Sequence, residues 1–314
     1  MFELTFLGTG ASAPSAERGL PALMVSCGAR RVLIDCGEGT QRQILRAGLG
    51  FRRLERVLLT HRHLDHVLGL GGLVATLGLL RAKGALSIHG GPATLQYVRG
   101  YLRALWPEGS APIDIELNAL APGTAIEEKD FAIRSFPVSH RGVESFGFRF
   151  EAPARRHLLP DRLAALAVPG GAVRAALARG ESAVLADGRT IEAASVLGPP
   201  EPGASLVVIG DVDETLSLVE PARGADALVI EATFLDKDAA LAASYGHLTA
   251  AEAGGLAAAA QVGMLYLTHL SGRYDSEAVA AEARRYFPHV RTAVDFAKCR
   301  VPEYGRAERS PAGS

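Results

Sequence analysis

Four metal donors stand within six residues at His61-Arg62-His63-Leu64-Asp65-His66, directly after the apolar run Val57-Leu58-Leu59-Thr60. Residues two apart on an extended chain face the same way, so His61 and His63 can reach one ion as a strand ends. A turn into helix then redirects Asp65 and His66 toward a second ion. Imidazole and carboxylate without thiolate suit Zn²⁺, with Mn²⁺ and other divalent ions as alternatives. Two ions need more donors than this cluster supplies. His140 follows the strand-like Phe131 to Ser139, His269 follows Leu265-Tyr266-Leu267-Thr268, and Asp211 follows Leu206-Val207-Val208-Ile209-Gly210. A carboxylate has two oxygens and can bridge cations about 3.5–4 Å apart. Each of these three alone also fits a blander role, as a hydrogen-bonded core histidine or an aspartate in a turn.

The elements that would carry these donors follow a rhythm. Val32-Leu33-Ile34 ends at Asp35 and Leu228-Val229-Ile230 at Glu231, as the runs above end at His61, Asp211 and His269. Such short, nearly continuous runs of Val, Ile and Leu read as strands buried on both faces. Polar groups at their carboxyl ends gather along one sheet edge, where open α/β architectures place their sites. Helical stretches alternate with them at Val67 to Leu80, Ala250 to Gln261 and Ser276 to Tyr286. Leu59-Thr60-His61 and Leu267-Thr268-His269 echo one another, a hint of two related halves. Residues 152–200 break the rhythm with Pro153, Pro160, Pro169, Gly170, Gly171, Gly180, Gly188, Pro199 and Pro200, and read as an inserted arm. From Ala152 to Gly180 the arm holds five arginines (Arg155, Arg156, Arg162, Arg174, Arg179) against one acid, Asp161. The composition of 302–314 predicts a disordered tail.

At 314 residues and 48% hydrophobic the chain can bury a large core, which excludes disorder as its dominant state. Met1 to Leu7 enters a strand-like run without a basic segment or cleavage site, so no secretion signal is expected. No stretch of about 18 strongly apolar residues predicts a membrane span. The three cysteines, Cys27, Cys36 and Cys299, show neither even number nor close pairing, which fits a reducing cytoplasm. A net charge of −1 exerts no global pull on a polyanion, so a nucleic-acid partner needs a local basic patch.

His-x-His-x-Asp-His, an isolated His, an Asp after an apolar strand and a final Thr-His together resemble the metallo-β-lactamase superfamily. More narrowly, the chain resembles the ribonuclease Z family of transfer-RNA 3′-processing endonucleases over nearly its whole length. The matching segments are Phe6-Leu7-Gly8-Thr9-Gly10, Ile34 to Gln41, the His61 cluster, Ser145-Phe146-Gly147-Phe148, Val196 to Pro200, Glu231-Ala232-Thr233-Phe234, Gly246-His247-Leu248-Thr249 and Thr268 to Tyr274. The resemblance implies an α/β fold, the four-layer αββα sandwich, with one domain over 1–301 and the arm inserted to grip transfer RNA. It also implies a homodimer. Carried over by position, His61, His63 and His140 hold one ion, Asp65, His66 and His269 the other, and Asp211 bridges.

On that resemblance the two ions lower the pKa of water toward about 7 for attack on phosphorus. Asp65 orients or deprotonates it, His247 stabilises or protonates the leaving oxygen, and Glu231 orients His247. Arg273 and Ser271 bind substrate phosphate. The products are a 3′-hydroxyl on the transfer RNA and a 5′-phosphate on the trailer. Four features depart from the subgroup's pattern: Leu64 narrows the approach to the ions, Val212 lacks a hydroxyl that would support Asp211, Ile230 removes a hydrogen bond at the site, and the tip Val168 to Val173 lacks a Gly-Pro pair. Two rivals follow: a small-molecule hydrolase of the same fold acting on a cyclic phosphodiester, sulfate ester or lactone, and a non-catalytic RNA-binding relative. His89, His157 and His289 are expected to be structural or exposed, and Asp35, Glu38 and Gln41 to serve a turn or brace a ligand.

Overall fold

The strands, in chain order, are β1 (Phe2–Gly8), β2 (Ala22–Cys27), β3 (Arg30–Ile34), β4 (Leu54–Leu58), β5 (Leu86–Gly90), β6 (Ile115–Ala119), β7 (Ala125–Glu127), β8 (Ala132–Val138) and β9 (Ser145–Glu151). They continue with β10 (Arg155–Leu158), β11 (Ala183–Val184), β12 (Thr190–Ile191), β13 (Leu197–Glu201), β14 (Ser205–Val208), β15 (Ala227–Glu231), β16 (Leu265–Thr268), β17 (Val290–Thr292) and β18 (Lys298–Val301). They belong to a computed structural model that describes residues 1–82, 84–107 and 110–301. The predicted disordered tail, 302–314, lies outside the described residues.

Contacts divide the chain into two units, one of residues 1–151 with the chain from Ala204 onward, the other Ala152–Gly203. The first unit holds two seven-stranded sheets, ordered β18-β1-β2-β3-β4-β5-β6 and β17-β16-β15-β14-β9-β8-β7. The same grammar builds both. In one, β1, β2 and β3 run antiparallel and β3 to β6 parallel; in the other, β7, β8, β9 and β14 run antiparallel and β14 to β17 parallel. β3 and β14 are therefore equivalent switch strands, each with one antiparallel and one parallel neighbour.

Alternation sends one set of side chains from each sheet inward and the other outward. Inward, Phe2 meets Phe131 and Phe150 at 5.9 and 6.0 Å between ring centroids, and Phe6 meets Tyr266 at 5.8 Å, which locks sheet on sheet. Outward, Leu33, Val57 and Ile88 pack with Ile44, Leu70, Leu73 and Val98 of the helices Thr40–Arg46, Gly69–Leu79 and Pro92–Leu105. On the far side Leu228, Ile230 and Leu267 pack with Ala253, Leu256, Val279 and Ala283 of Ala250–Ala259 and Ser276–Arg284. The result is helix, sheet, sheet, helix. The Leu-Thr-His echo does not follow this repeat: β4 adjoins its switch strand, whereas β16 lies two strands from its own.

The Ala152–Gly203 unit has its own small core of Leu163, Val168, Leu177, Leu185, Ile191 and Val196, with the pairs β10-β13 and β11-β12. Most of its arginines brace it internally. Arg156 donates to the Gly198 carbonyl, Arg162 to Ser195, Arg174 to Val168, and Arg179 and Arg189 pair with Glu181 and Asp187. Beyond Gly180 the unit adds Arg189 and the acids Glu181, Asp187, Glu192 and Glu201, so the basic excess of its first part does not extend over the whole.

Candidate metal centre

β4 ends at Leu58, and a bend at Thr60 leads to His63, whose φ of −61° and ψ of 149° precede the helical turn Leu64–Val67. That change of direction lets Asp65 and His66 join His269 in a second set of donors, with the His66 ring 4.2 Å from that of His61. The turn is held close to the β3 end, with the Cys36 N–H donating to the His66 carbonyl and the Gly69 N–H to that of Cys36, both at 2.8 Å. Only glycine fits at position 69, where a Cβ would lie 2.0 Å from the Gly37 oxygen. Across the sandwich, β14 and β16 deliver Asp211 and His269, and the β8–β9 connection delivers His140.

These side chains converge. His61, His63, His140 and Asp211 offer donor atoms all within 4.8 Å of one another, as do Asp65, His66 and His269. Asp211 divides them: its Oδ2 lies 3.7 Å from His61 Nε2 and 3.9 Å from His140 Nε2, its Oδ1 3.4 Å from His66 Nε2 and 3.3 Å from His269 Nε2. Asp65 Oδ2 closes the second set at 3.4 Å from His269 and 3.7 Å from His66. His63 turns its Nδ1 inward, 3.3 Å from His140 Nε2, unlike the other imidazoles, which present Nε2.

The outer nitrogens are committed elsewhere. His66 Nδ1 meets Asp35 Oδ2 at 2.8 Å, His61 Nδ1 meets Thr60 Oγ1 at 3.0 Å, His140 Nδ1 donates to the Gly246 carbonyl at 2.8 Å, and His269 Nδ1 meets Thr233 Oγ1 at 2.9 Å. Such bonds fix ring orientation and free the opposite nitrogen for a ligand. Three of the inward atoms lack protein partners: His61 Nε2, His66 Nε2 and Asp211 Oδ1 are buried without a hydrogen bond. Each orphan costs roughly 1–3 kcal/mol, and all three face one place, so divalent cations satisfy what the fold leaves open.

Electrostatics agree. Burial raises the cost of charge on Asp211, yet His269 and His66 hold it well below the carboxylate range, and Asp65 is lowered in the same way by His269 and His66. Burial and neighbouring imidazoles keep His61 low. His66 is raised despite burial because Asp211 and Asp35 flank it, and a cation would take the place of that proton. Asp35 and His269 hold φ of 56° and 53°, a left-handed conformation costing of order 1 kcal/mol or more, typical of functional sites.

Beside the cluster, His247 Nδ1 meets Glu231 Oε1 at 2.8 Å. Fully buried Glu231 also accepts from the Val212 and Leu248 N–H groups at 2.9 and 3.3 Å and from the Thr233 hydroxyl at 2.6 Å. Burial opposes charge on His247, but the Glu231 carboxylate, with Asp211 and Asp65 behind it, raises its pKa to about 9. Thr249, two residues on, caps Ala250–Ala259 in a reciprocal box with Glu252, which sets where the chain turns after His247.

Other sequence candidates fall elsewhere. Ser271 accepts from the Arg273 N–H at 3.3 Å, a turn bond, and Arg273 is exposed on the same loop. Leu64 is 53% exposed. Ile230 points into the helix-side core, on the opposite face from Glu231, so the expected loss of a site hydrogen bond there does not hold. Val212 is buried and meets Glu231 through its backbone. His89 is buried and lowered to about 4 by desolvation and Arg56, His157 pairs with Glu201 at 3.4 Å, and neither joins the cluster. Cys36, next to Asp35, is pushed up to about 12 by burial and takes no part. Sequence reasoning gave no role to Thr60 or Thr233; Thr60 directly precedes His61, the one signal available, whereas Thr233 stands 36 residues from His269 and only the fold brings them together.

A family model described as Anti-Pycsar protein Apyc1 matches residues 2–87, the part that holds the His61 cluster but none of the later donors. Over 296 residues the chain is 59% identical to a ribonuclease Z of Bradyrhizobium diazoefficiens, covering 94% of this chain and 98% of that one. A ribonuclease Z of Listeria monocytogenes is 38% identical over 308 residues, with 96% and 100% covered. Among solved structures, the metallo-β-lactamase fold protein YhfI of Bacillus subtilis superposes with a TM-score of 0.68 at 20% identity, covering 95% of this chain and 98% of the other. The short form of human tRNase Z gives 0.66 at 24% identity, with 96% and 99% covered.

Proposed function

The chain belongs to the ribonuclease Z family and carries the metallo-β-lactamase fold, and from that premise we propose that it removes the 3′ trailer from precursor transfer RNA as a dinuclear metal-dependent endonuclease. The observation that carries the dinuclear reading is Asp211, whose two oxygens each face a separate set of donors. His61, His63 and His140 would hold one ion and Asp65, His66 and His269 the other, with imidazole and carboxylate donors suiting Zn²⁺. Bound there, two divalent cations would supply Lewis acidity toward phosphate and a lowered pKa for water.

The chain's own residues do the rest. Asp65, mostly buried at the edge of the cluster and held as a carboxylate, accepts a proton from attacking water. His247, charged and held in one tautomer by Glu231, gives a proton to the departing 3′-oxygen of the transfer RNA. Arg273 sits on the loop beyond His269, within the chain's reach of the substrate backbone, and Ser271 shapes that loop.

Three further assignments belong to the same reading. The Ala152–Gly203 unit serves as a gripping arm, supported by its separate core and the exposed Arg155. A homodimer is supported by Leu45, Leu79 and Leu80, which are 59%, 86% and 59% exposed on neighbouring helices of the first half. Cytoplasmic residence is supported by a cysteine content of three, with neither the even number nor the close spacing of a disulfide framework.

The test is a precursor transfer RNA assayed beside a chromogenic phosphodiester and an aryl sulfate with defined metals. Cleavage at the trailer junction, leaving a 3′-hydroxyl on the transfer RNA, is the expected result. Hydrolysis of the aryl sulfate with the precursor intact would overturn the reading.

A further inference from the structure

The helix Ala239–Tyr245 stops at Gly246, whose φ of 68° and ψ of 45° reverse the chain and bring Tyr245 and His247 to one rim. Tyr245 is 51% exposed, unusual for so large a ring. Its inner face lies parallel to Phe234, with centroids 6.3 Å apart and planes 10° apart. Phe234 is only 5% exposed and touches the His247 ring at 6.2 Å and Tyr274 edge-on at 6.5 Å. Tyr274 is pinned in turn by its hydroxyl, which donates to Asp238 at 2.5 Å. The exposed ring is therefore backed by a fixed aromatic stack that ends at His247.

On the other side of Gly246 lies Arg141, the residue after His140. Its N–H donates to Asp213 Oδ2 at 2.6 Å, and its φ of 47° holds it in the left-handed region. Its stem runs across Gly246, so close that a Cβ there would fall 2.2 Å from Arg141 Cγ and 2.7 Å from Cδ. The guanidinium is exposed and meets no acceptor among the described residues. A strained, anchored backbone thus aims a cation over the same rim.

We propose that Tyr245 and Arg141 form a nucleotide-holding rim in which the Tyr245 ring stacks on the base of the nucleotide whose 3′-oxygen leaves, and Arg141 holds the neighbouring backbone phosphate. The assignment rests on the endonuclease reading. His247 faces the leaving oxygen, so what flanks His247 flanks the leaving nucleoside. Unpaired RNA bases are held by aromatic faces, and backbone phosphates by arginine. The rim pairs one of each beside the proton donor, on rigid supports.

The test uses the metal-loaded enzyme and a product transfer RNA carrying 2-aminopurine as its 3′-terminal nucleotide. Wild type and Tyr245→Phe should quench its fluorescence on binding. Tyr245→Leu, which keeps apolar cover on Phe234 but offers no ring, should not, and its kcat/KM on precursor RNA should fall about tenfold, mostly through KM. Arg141→Ala should lower the salt dependence of RNA binding by about one phosphate contact. Quenching by Tyr245→Leu at the wild-type level, or equal losses on RNA and on a chromogenic phosphodiester, would overturn the rim. Failure of wild type to cut the precursor at all is a different result and sinks the endonuclease reading instead.

Discussion

The two halves of the sandwich each place an aspartate just beyond the switch strand, yet use it for opposite purposes. Asp35 follows the switch strand β3 and Asp211 the switch strand β14. Asp35 accepts from the Thr60 N–H at 2.8 Å, from the Thr60 hydroxyl at 2.9 Å, and meets His66 Nδ1 at 2.8 Å. Its oxygens are satisfied by protein. Asp211 keeps Oδ1 buried and without a hydrogen-bond partner, among four imidazoles. Position along the chain does not separate a ligand from its brace; the count of protein partners does. A saturated carboxylate positions its neighbours, and an unsatisfied one waits for a cation.

Breaking the ligand should cost most. Asp211→Ala is expected to leave fewer than two ions per chain and to lower phosphodiester hydrolysis by at least about a thousandfold, read by metal analysis beside turnover; full metal content would make Asp211 another brace. His247→Ala should keep both ions and lower RNA cleavage by about 10²- to 10⁴-fold, and parallel loss of metal would reassign the residue as structural. Asp35→Asn should weaken metal affinity by about 10- to 100-fold, with activity restored by added metal. A loss that excess metal cannot restore would mean that Asp35 does more than brace His66.

Glu231→Gln sharpens the comparison within the second half. An acid must be protonated to act, so activity falls as pH rises through the pKa of His247. Because the Glu231 carboxylate raises that pKa, the glutamine variant should lose activity at lower pH than wild type. An unmoved basic limb would show that another group donates. Smallest of all, Thr60→Val and Thr233→Val each remove one hydroxyl behind an imidazole, and each should cost about 1 kcal/mol in thermal unfolding with only a modest drop in metal affinity.

The donors His61, His63, Asp65 and His66 were legible because six residues carried all four, and His140, Asp211 and His269 because each follows an apolar run. The parallel strands β3, β4, β14, β15 and β16 were legible for the same reason, since burial on both faces leaves continuous Val, Ile and Leu, whereas the part-exposed β6 carries no such run. Glu231 stood out as a titratable group at a strand end, but its pairing with His247, and His247 itself, came only through the family resemblance. The sixteen-residue interval between them carries no pattern. Ile230 was misread because strand alternation, invisible in a single position, turns it to the opposite face from Glu231. Thr60 was missed because a threonine beside a histidine is common at a strand end, and Thr233 because its separation of 36 residues from His269 gives no sign of their contact.

Residue type and order alone determined which atoms were available: imidazole and carboxylate at strand ends, no thiolate, and a break in the rhythm at 152. What the tertiary structure decided was which of those atoms remain unsatisfied. Asp35 and Asp211 are chemically identical, and only the threonine and histidine that packing brings to the first make it a brace. Partner count is a property of three-dimensional neighbours, and desolvation exacts its penalty only once the sheets close over the group.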